Sequence, residues 1–143
     1  MKKTDLAYTA GIIDGEGWIN IAHRGFRQTV IHIGVGNTNE WLINWLQFSY
    51  GGSVGKRKPC KDGQKPSWVW DISSKKAGEF LNLILPYLQI KRPQAELALK
   101  FQNRRKSHIV KGVHGILRMT DEEVALDEAD KILMHSYNKR GID

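Results

Sequence analysis

Two carboxylates spaced two apart, Asp14 and Glu16, lie among three glycines in Ala10-Gly11-Ile12-Ile13-Asp14-Gly15-Glu16-Gly17. Around them a helical pattern of apolar residues gives way to a strand pattern. Acids at a helix exit oppose the negative end of the macrodipole, and a glycine in a helix interior costs about 1 kcal/mol. Local rules broken together in one place point to a site. Ala7, Gly11 and Gly15 recur every four residues, a stripe along which a second backbone can approach closely. The plainer alternative is packing of the stripe on the chain's own sheet, with Gly15 as a C-cap. A two-fold contact between two such helices would bring Glu16 near its symmetry mate. Paired carboxylates, with carbonyls freed at the helix ends, make an oxygen-rich cluster suited to a hard cation such as Mg2+. Such a cluster can activate water and stabilise the leaving oxygen in phosphodiester hydrolysis. Glu16 is therefore read as a metal ligand. Asp14 is read as a structural residue that bonds local backbone.

These residues need elements to position them. Thr4 or Asp5 can cap a first helix through Asp14, with Leu6, Ala10 and Ile13 at helical spacing. A strand from Gly17 sets Ile19 and Ile21 on one face and Asn20, Ala22 and Arg24 on the other. Gly25 marks a turn, and a second strand from Gln28 to about Val35 alternates Ile31, Ile33 and Val35 against Val30, His32 and Gly34. Asn37-Thr38-Asn39 supplies caps for a second helix carrying Trp41, Leu42, Trp45, Leu46 and Phe48 and ending at Gly51-Gly52. A second hairpin pairs Val54 to about Lys58 with Trp68–Ile72 across a loop rich in Lys and Gly. Trp68 and Trp70 share a face, which serves either the core or packing on sugar and base surfaces, with core the expectation for at least one of them. Ser73 or Ser74 caps a third helix bearing Ala77, Phe80, Leu81, Ile84 and Leu85. Pro93 fits the first turn of a fourth, and Thr120-Asp121-Glu122-Glu123 is a capping box for a last helix to about Tyr137. The order predicts an α+β domain, a four-stranded antiparallel sheet with helices on one face and the other face open to water or a partner.

At 143 residues the chain is read as a single domain. No apolar run approaches the ~20 residues that span a bilayer, and the N-terminus has no signal-peptide core, so the expected setting is the cytoplasm or an organellar matrix. The single Cys60 excludes a disulfide framework within the chain and fits a reducing compartment. The formal net charge is +7, although six acids are gathered in Asp121–Asp130, a stretch with no Lys or Arg. A basic body with a segregated acidic segment suggests a polyanionic partner, nucleic acid first. His23, His108, His114 and His135 lack zinc-site spacing, which argues against a zinc-finger nuclease.

Tyr8-Thr9-Ala10-Gly11-Ile12-Ile13-Asp14-Gly15-Glu16-Gly17 resembles the signature of the LAGLIDADG homing endonucleases. Further segments are similar to that family: Asn37-Thr38 before a helix ending in Gly51-Gly52, Leu85-Pro86-Tyr87-Leu88 followed by Lys91, Gln94-Ala95-Glu96-Leu97, and the late Thr120–Glu123 box. The similarity covers roughly residues 6–102, with a looser match beyond. It implies an αββαββα half-domain with a core of about residues 4–103 and a C-terminal helical extension over about 104–143. One motif implies the homodimeric class, with Ala7, Gly11 and Gly15 at the dimer interface. By the same resemblance Glu16 binds catalytic Mg2+, the Gly15 carbonyl contacts it, Lys91 orders water and stabilises charge near the scissile phosphate, and Asn37 organises water. Two positions depart from the signature: Thr9 stands for its usual leucine, and Glu16 for the commoner aspartate.

The implied activity is hydrolysis of both strands of a long, pseudo-palindromic DNA target, in the service of intron homing. An antiparallel sheet with a polar face can lie along the major groove. The alternation nominates Asn20, Arg24, Gln28 and His32 for that face. Lys56, Arg57 and Lys58, with Lys61 and Lys65, are nominated for phosphates or bases; the pattern leaves open whether Arg57 or Lys56 and Lys58 enter the groove. The alternative is a non-cleaving nucleic-acid binder of the same fold, a transcriptional regulator or an intron maturase with intron RNA as its partner. Retention of Glu16 and Lys91 favours cleavage.

Overall fold

The computed structural model describes residues 1–25, 28–107 and 120–139. The chain runs α1 (Lys3–Glu16), β1 (Gly17–His23), β2 (Thr29–Asn37), α2 (Glu40–Tyr50), β3 (Ser53–Arg57), β4 (Ser67–Ser73), α3 (Ser74–Ile84), a 3-10 turn (Leu85–Tyr87), α4 (Arg92–Ser107) and α5 (Asp121–Asn138). The strands form one antiparallel sheet in the order β1-β2-β4-β3. This is the α+β architecture that the alternation of hairpins and helices predicts. Among the described residues no helix is long and apolar enough to cross a membrane.

Side-chain alternation divides the sheet into two faces. Ile19, Ile21, Ile31, Ile33, Val35, Trp70 and Ile72 are buried, and join Ala10 and Ile13 of α1, Ile43 and Leu46 of α2, Phe80, Leu81 and Ile84 of α3 and Phe101 of α4 in one core. The described helices leave the opposite face open except at its β1 margin, where Asn138 of α5 meets Asn20. Pairing fixes its residues: Trp18 lies opposite Gly34, Asn20 opposite His32, His32 opposite Ser73, Gly34 opposite Asp71, and Arg57 opposite Ser67.

The first helix departs from expectation at both ends. It starts at Lys3 on Lys2, which gives no side-chain cap, and Asp5 falls in the first turn, where the dipole favours an acid. It ends at Glu16 rather than Asp14, because Gly17 N–H still bonds to Ile13 O and extends the last turn. The unusual Thr9 is fully buried; its hydroxyl donates to Asp5 O at 2.8 Å and meets Tyr50 Oη of α2 at 2.7 Å. A leucine there would leave the Tyr50 hydroxyl without this partner. Burial, reinforced by the charge of Asp5, pushes the Tyr50 hydroxyl above its ordinary pKa.

The second helix buries Ile43 and Leu46, whereas Trp41 and Phe48 are 65% and 91% exposed. Its apolar positions exceed one face: 42, 43, 45, 46 and 50 pack on or against the core, and 41 and 48 line the outer side. At its end Gly51 and Gly52 take φ of 76° and 89°, and Gly51 O accepts from Trp70 Nε1 at 2.7 Å. Trp70 is thus core, and Trp68 is half-buried under Lys56 Nζ, 5.6 Å from its ring centre.

The acidic stretch finds its partners on α4. Asp127, only 3% exposed, accepts from Arg104 at 2.8 Å and Arg105 at 3.1 Å, and Asp130 takes Arg104 at 2.6 Å. The Thr120–Glu123 capping box is formed in both directions. At the far end of α5, Asn138 Nδ2 donates to Ile19 O at 2.9 Å, which ties the helix to the outer edge of β1.

Candidate active site and nucleic-acid face

The site forms where α1 becomes β1 with no intervening residue. Glu16 is the last helical residue and is exposed; Gly17 opens the strand. The last carbonyls of any α-helix have no partner within the helix and carry partial negative charge. Here Lys91 Nζ donates to one of them, Asp14 O, at 2.7 Å. The Asp14 carboxylate in turn accepts from Gln89 N and Lys91 N, both at 2.8 Å. Asp14 thereby fixes the 89–91 loop against the helix end. Its bonds run to the start of α4, 75 and 77 residues away, rather than to its immediate neighbours. The result brings Lys91, two residues from Glu16 by way of Asp14, to the end of the motif helix.

The donors present at this end are oxygens: the Glu16 carboxylate and main-chain carbonyls, Gly15 among them. Such a set suits Mg2+ or Ca2+ better than a soft transition metal. Among the described residues no group of three His, Cys, Asp or Glu converges on one point. His108 and His114 lie outside the described residues.

Ala7, Gly11 and Gly15 are exposed along α1. A Cβ added at Gly11 or Gly15 would meet nothing within 4 Å. The stripe therefore does not pack on the chain's own sheet. The exposed rings of Tyr8 and Trp41 flank it, joined through half-buried Trp45, which meets Tyr8 edge to face at 5.5 Å between ring centres and stacks on Trp41.

Of the residues nominated for the sheet face, Asn20 and Arg24 are exposed on its open side. Asn20 Oδ1 accepts from Asn138 at 3.0 Å, and Arg24 reaches across to Ser73 Oγ at 3.3 Å. Gln28 is exposed at the start of the returning strand. The register separates the basic run: Arg57 lies on the open face, Lys56 on the face of Trp68, and Lys58 just beyond the strand. Asn37 ends β2, and its Oδ1 accepts from Asn39 N at 2.8 Å, forming the turn that starts α2. Its amide hydrogens bond to no described residue.

Sequence reasoning missed the central feature of the open face. Trp18 Nε1 donates to His32 Nδ1 at 3.3 Å, and His32 Nε2 meets Asp71 Oδ2 at 3.2 Å. A Cβ at Gly34 would overlap the Trp18 ring, so the glycine is the slot in which the indole lies. His32 was nominated by alternation alone. Trp18 and Asp71 carry the same alternation signal on strands 1 and 4, but their meeting depends on pairings 14 and 39 residues apart.

No protein-family model matches this sequence, and no curated protein does. Solved structures do match in shape. The homing endonuclease I-CvuI, solved with its target in the presence of calcium, superposes with a TM-score of 0.72 at 21% identity, over 98% of this chain and 85% of that one. The archaeal intron-encoded homing endonuclease I-Vdi141I, solved with DNA, gives 0.72 at 14% identity, over 99% and 89%. Against I-SmaMI the match covers 85% of this chain and 48% of that one, at a TM-score of 0.52. The chain has the fold of the LAGLIDADG homing endonucleases, and spans about half the length of I-SmaMI.

Proposed function

We propose that the chain is a divalent-metal-dependent DNA endonuclease acting as a homodimer, each copy serving one strand of a pseudo-palindromic target. One observation carries the reading: the uncovered small-residue stripe of α1 ends at Glu16 and Lys91, where the open sheet face begins. A second copy across that stripe adds a second Glu16 and Gly15 and so completes the oxygen set that one chain lacks. The half-length match to I-SmaMI fits two such copies.

In this reading Glu16 and the Gly15 carbonyl hold Mg2+. When bound, the ion lowers the pKa of a coordinated water and neutralises charge on phosphate oxygens. Lys91, pinned at the negative end of α1, presents its ammonium to the scissile phosphate and to the water beside it. The Asn37 amide orients water at the rim of the site. Arg24, Asn20, Gln28 and Arg57 contact base edges from the open face, and Lys56, Lys58, Lys61 and Lys65 contact the flanking phosphates. Retention of the acid and the lysine supports cleavage over a purely binding role.

The test is incubation with DNA spanning the native insertion site, in Mg2+ and in Ca2+ in parallel. Cleavage of both strands in Mg2+ is expected, and Glu16→Gln should bind equally well yet not cut. Tight binding with no nicking in Mg2+ would overturn the nuclease reading and leave a DNA-binding regulator or maturase.

A further inference from the structure

We infer that Asp71 reads a cytosine in each half of the DNA target, with His32 and Trp18 as the residues that position it. The inference rests on the DNA-binding reading above. On the described open face, whose strand residues are otherwise neutral or basic, Asp71 is the single carboxylate. A bare acid on a surface meant for a polyanion weakens binding unless it meets a hydrogen-bond donor.

The neighbouring side chains leave Asp71 as an acceptor with one orientation. An indole N–H only donates, so His32 Nδ1 accepts from Trp18 and the imidazole proton sits on Nε2. Nε2–H therefore donates to Asp71 Oδ2. The indole itself is immobilised over Gly34, which lies between Trp18 and Asp71 in the register. Both ring nitrogens of His32 are thus occupied, which makes the histidine a support rather than a reader. The side chain of Asp71 is 43% exposed, and Oδ1 makes no hydrogen bond to a described residue.

In the major groove an acceptor-only group selects an exocyclic amine: N4 of cytosine or N6 of adenine. Adenine sets the N7 acceptor beside its amine, which repels a carboxylate, whereas cytosine offers no acceptor there. Cytosine is the base that fits. Trp18 is the second residue after Glu16, so the base lies on the part of the face next to the cleavage site.

The experiment is selection of bound duplexes from a randomised library, with the full-length protein in chelator so that nothing is cut. The wild-type chain should enrich cytosine at one position in each half-site. Asp71→Asn should move that position to adenine, which an amide pairs through N6 and N7, with about a tenfold or larger change in base preference. Trp18→Phe keeps a ring over Gly34 but frees His32, and should weaken the cytosine preference without replacing it. Should Asp71→Asn fail to fold, Asp71→Ser is expected to lose preference at that position alone. An identical motif from wild type and Asp71→Asn overturns the inference while DNA binding stands; so does a loss of preference spread over all positions. Enrichment of no sequence by any protein removes the DNA-binding reading and the inference with it.

Discussion

Replacing Gly11 by leucine separates the chain's own folding from the proposed dimerisation. A Cβ at Gly11 meets no atom within 4 Å beyond its own helix, so the protomer loses no packing. Glycine in a helix interior costs about 1 kcal/mol relative to alanine, and leucine is nearly as good a helix former. The isolated fold should therefore gain about 1 kcal/mol, roughly 4 °C in Tm for a chain of this size. The dimer should respond in the opposite sense. Overpacking costs about 1–3 kcal/mol per site, and a two-fold axis doubles it to about 2–6 kcal/mol, which weakens association at least roughly thirtyfold. Sedimentation equilibrium reads the association, and urea denaturation at high dilution reads the protomer. Gly11→Ala serves as the control with the same helical gain and a smaller dimer penalty. If the leucine variant unfolds more easily, the stripe packs within the chain. If it self-associates like wild type, the dimer forms elsewhere.

Two further expectations concern buried polar pairs. Thr9→Val and Tyr50→Phe should each cost about 1 kcal/mol in urea denaturation, and the double variant less than their sum, because both changes remove the same Thr9–Tyr50 hydrogen bond. Since the folded-state pKa of Tyr50 is raised, its contribution is complete below the unfolded tyrosine pKa and disappears as pH climbs through the folded value. Tyr50→Phe should accordingly flatten the loss of stability on the alkaline side of about pH 10; an unchanged alkaline limb would refute this. Asp127→Asn takes a charged partner from both Arg104 and Arg105, while the Arg104–Asp130 pair stays in place. The arginines retain some solvent, so the cost should be about 2–3 kcal/mol rather than the full penalty of a buried charge. A change below about 1 kcal/mol would show the network to be ornamental.

The first hairpin was legible because Ile19, Ile21, Ile31, Ile33 and Val35 fall on a strict period of two, and the last helix because Thr120 and Glu123 meet their capping roles locally. The end of α1 was half legible. Asp14 reads as structural from its place at a helix exit, but its partners at Gln89 and Lys91 exist only once the fold has closed. The purpose of the acids over 121–130 was hidden for the same reason, since Arg104 and Arg105 lie on another helix. Arg57 could not be separated from Lys56 because a one-residue shift after Gly51-Gly52 exchanges their faces, and pairing with β4 alone sets that shift. The Trp18–His32–Asp71 chain spans three strands, and no spacing within one strand announces it.

The direct junction between Glu16 and Gly17 has a bearing on how such a protein can change. No loop separates Glu16 from β1, so in the endonuclease proposed above the distance between the bond that breaks and the bases that are recognised would be set by backbone geometry, like the fixed offset of a ruler's zero mark. Under that proposal, substitutions along the sheet would retarget recognition base by base without shifting where, relative to the new sequence, the strand is severed.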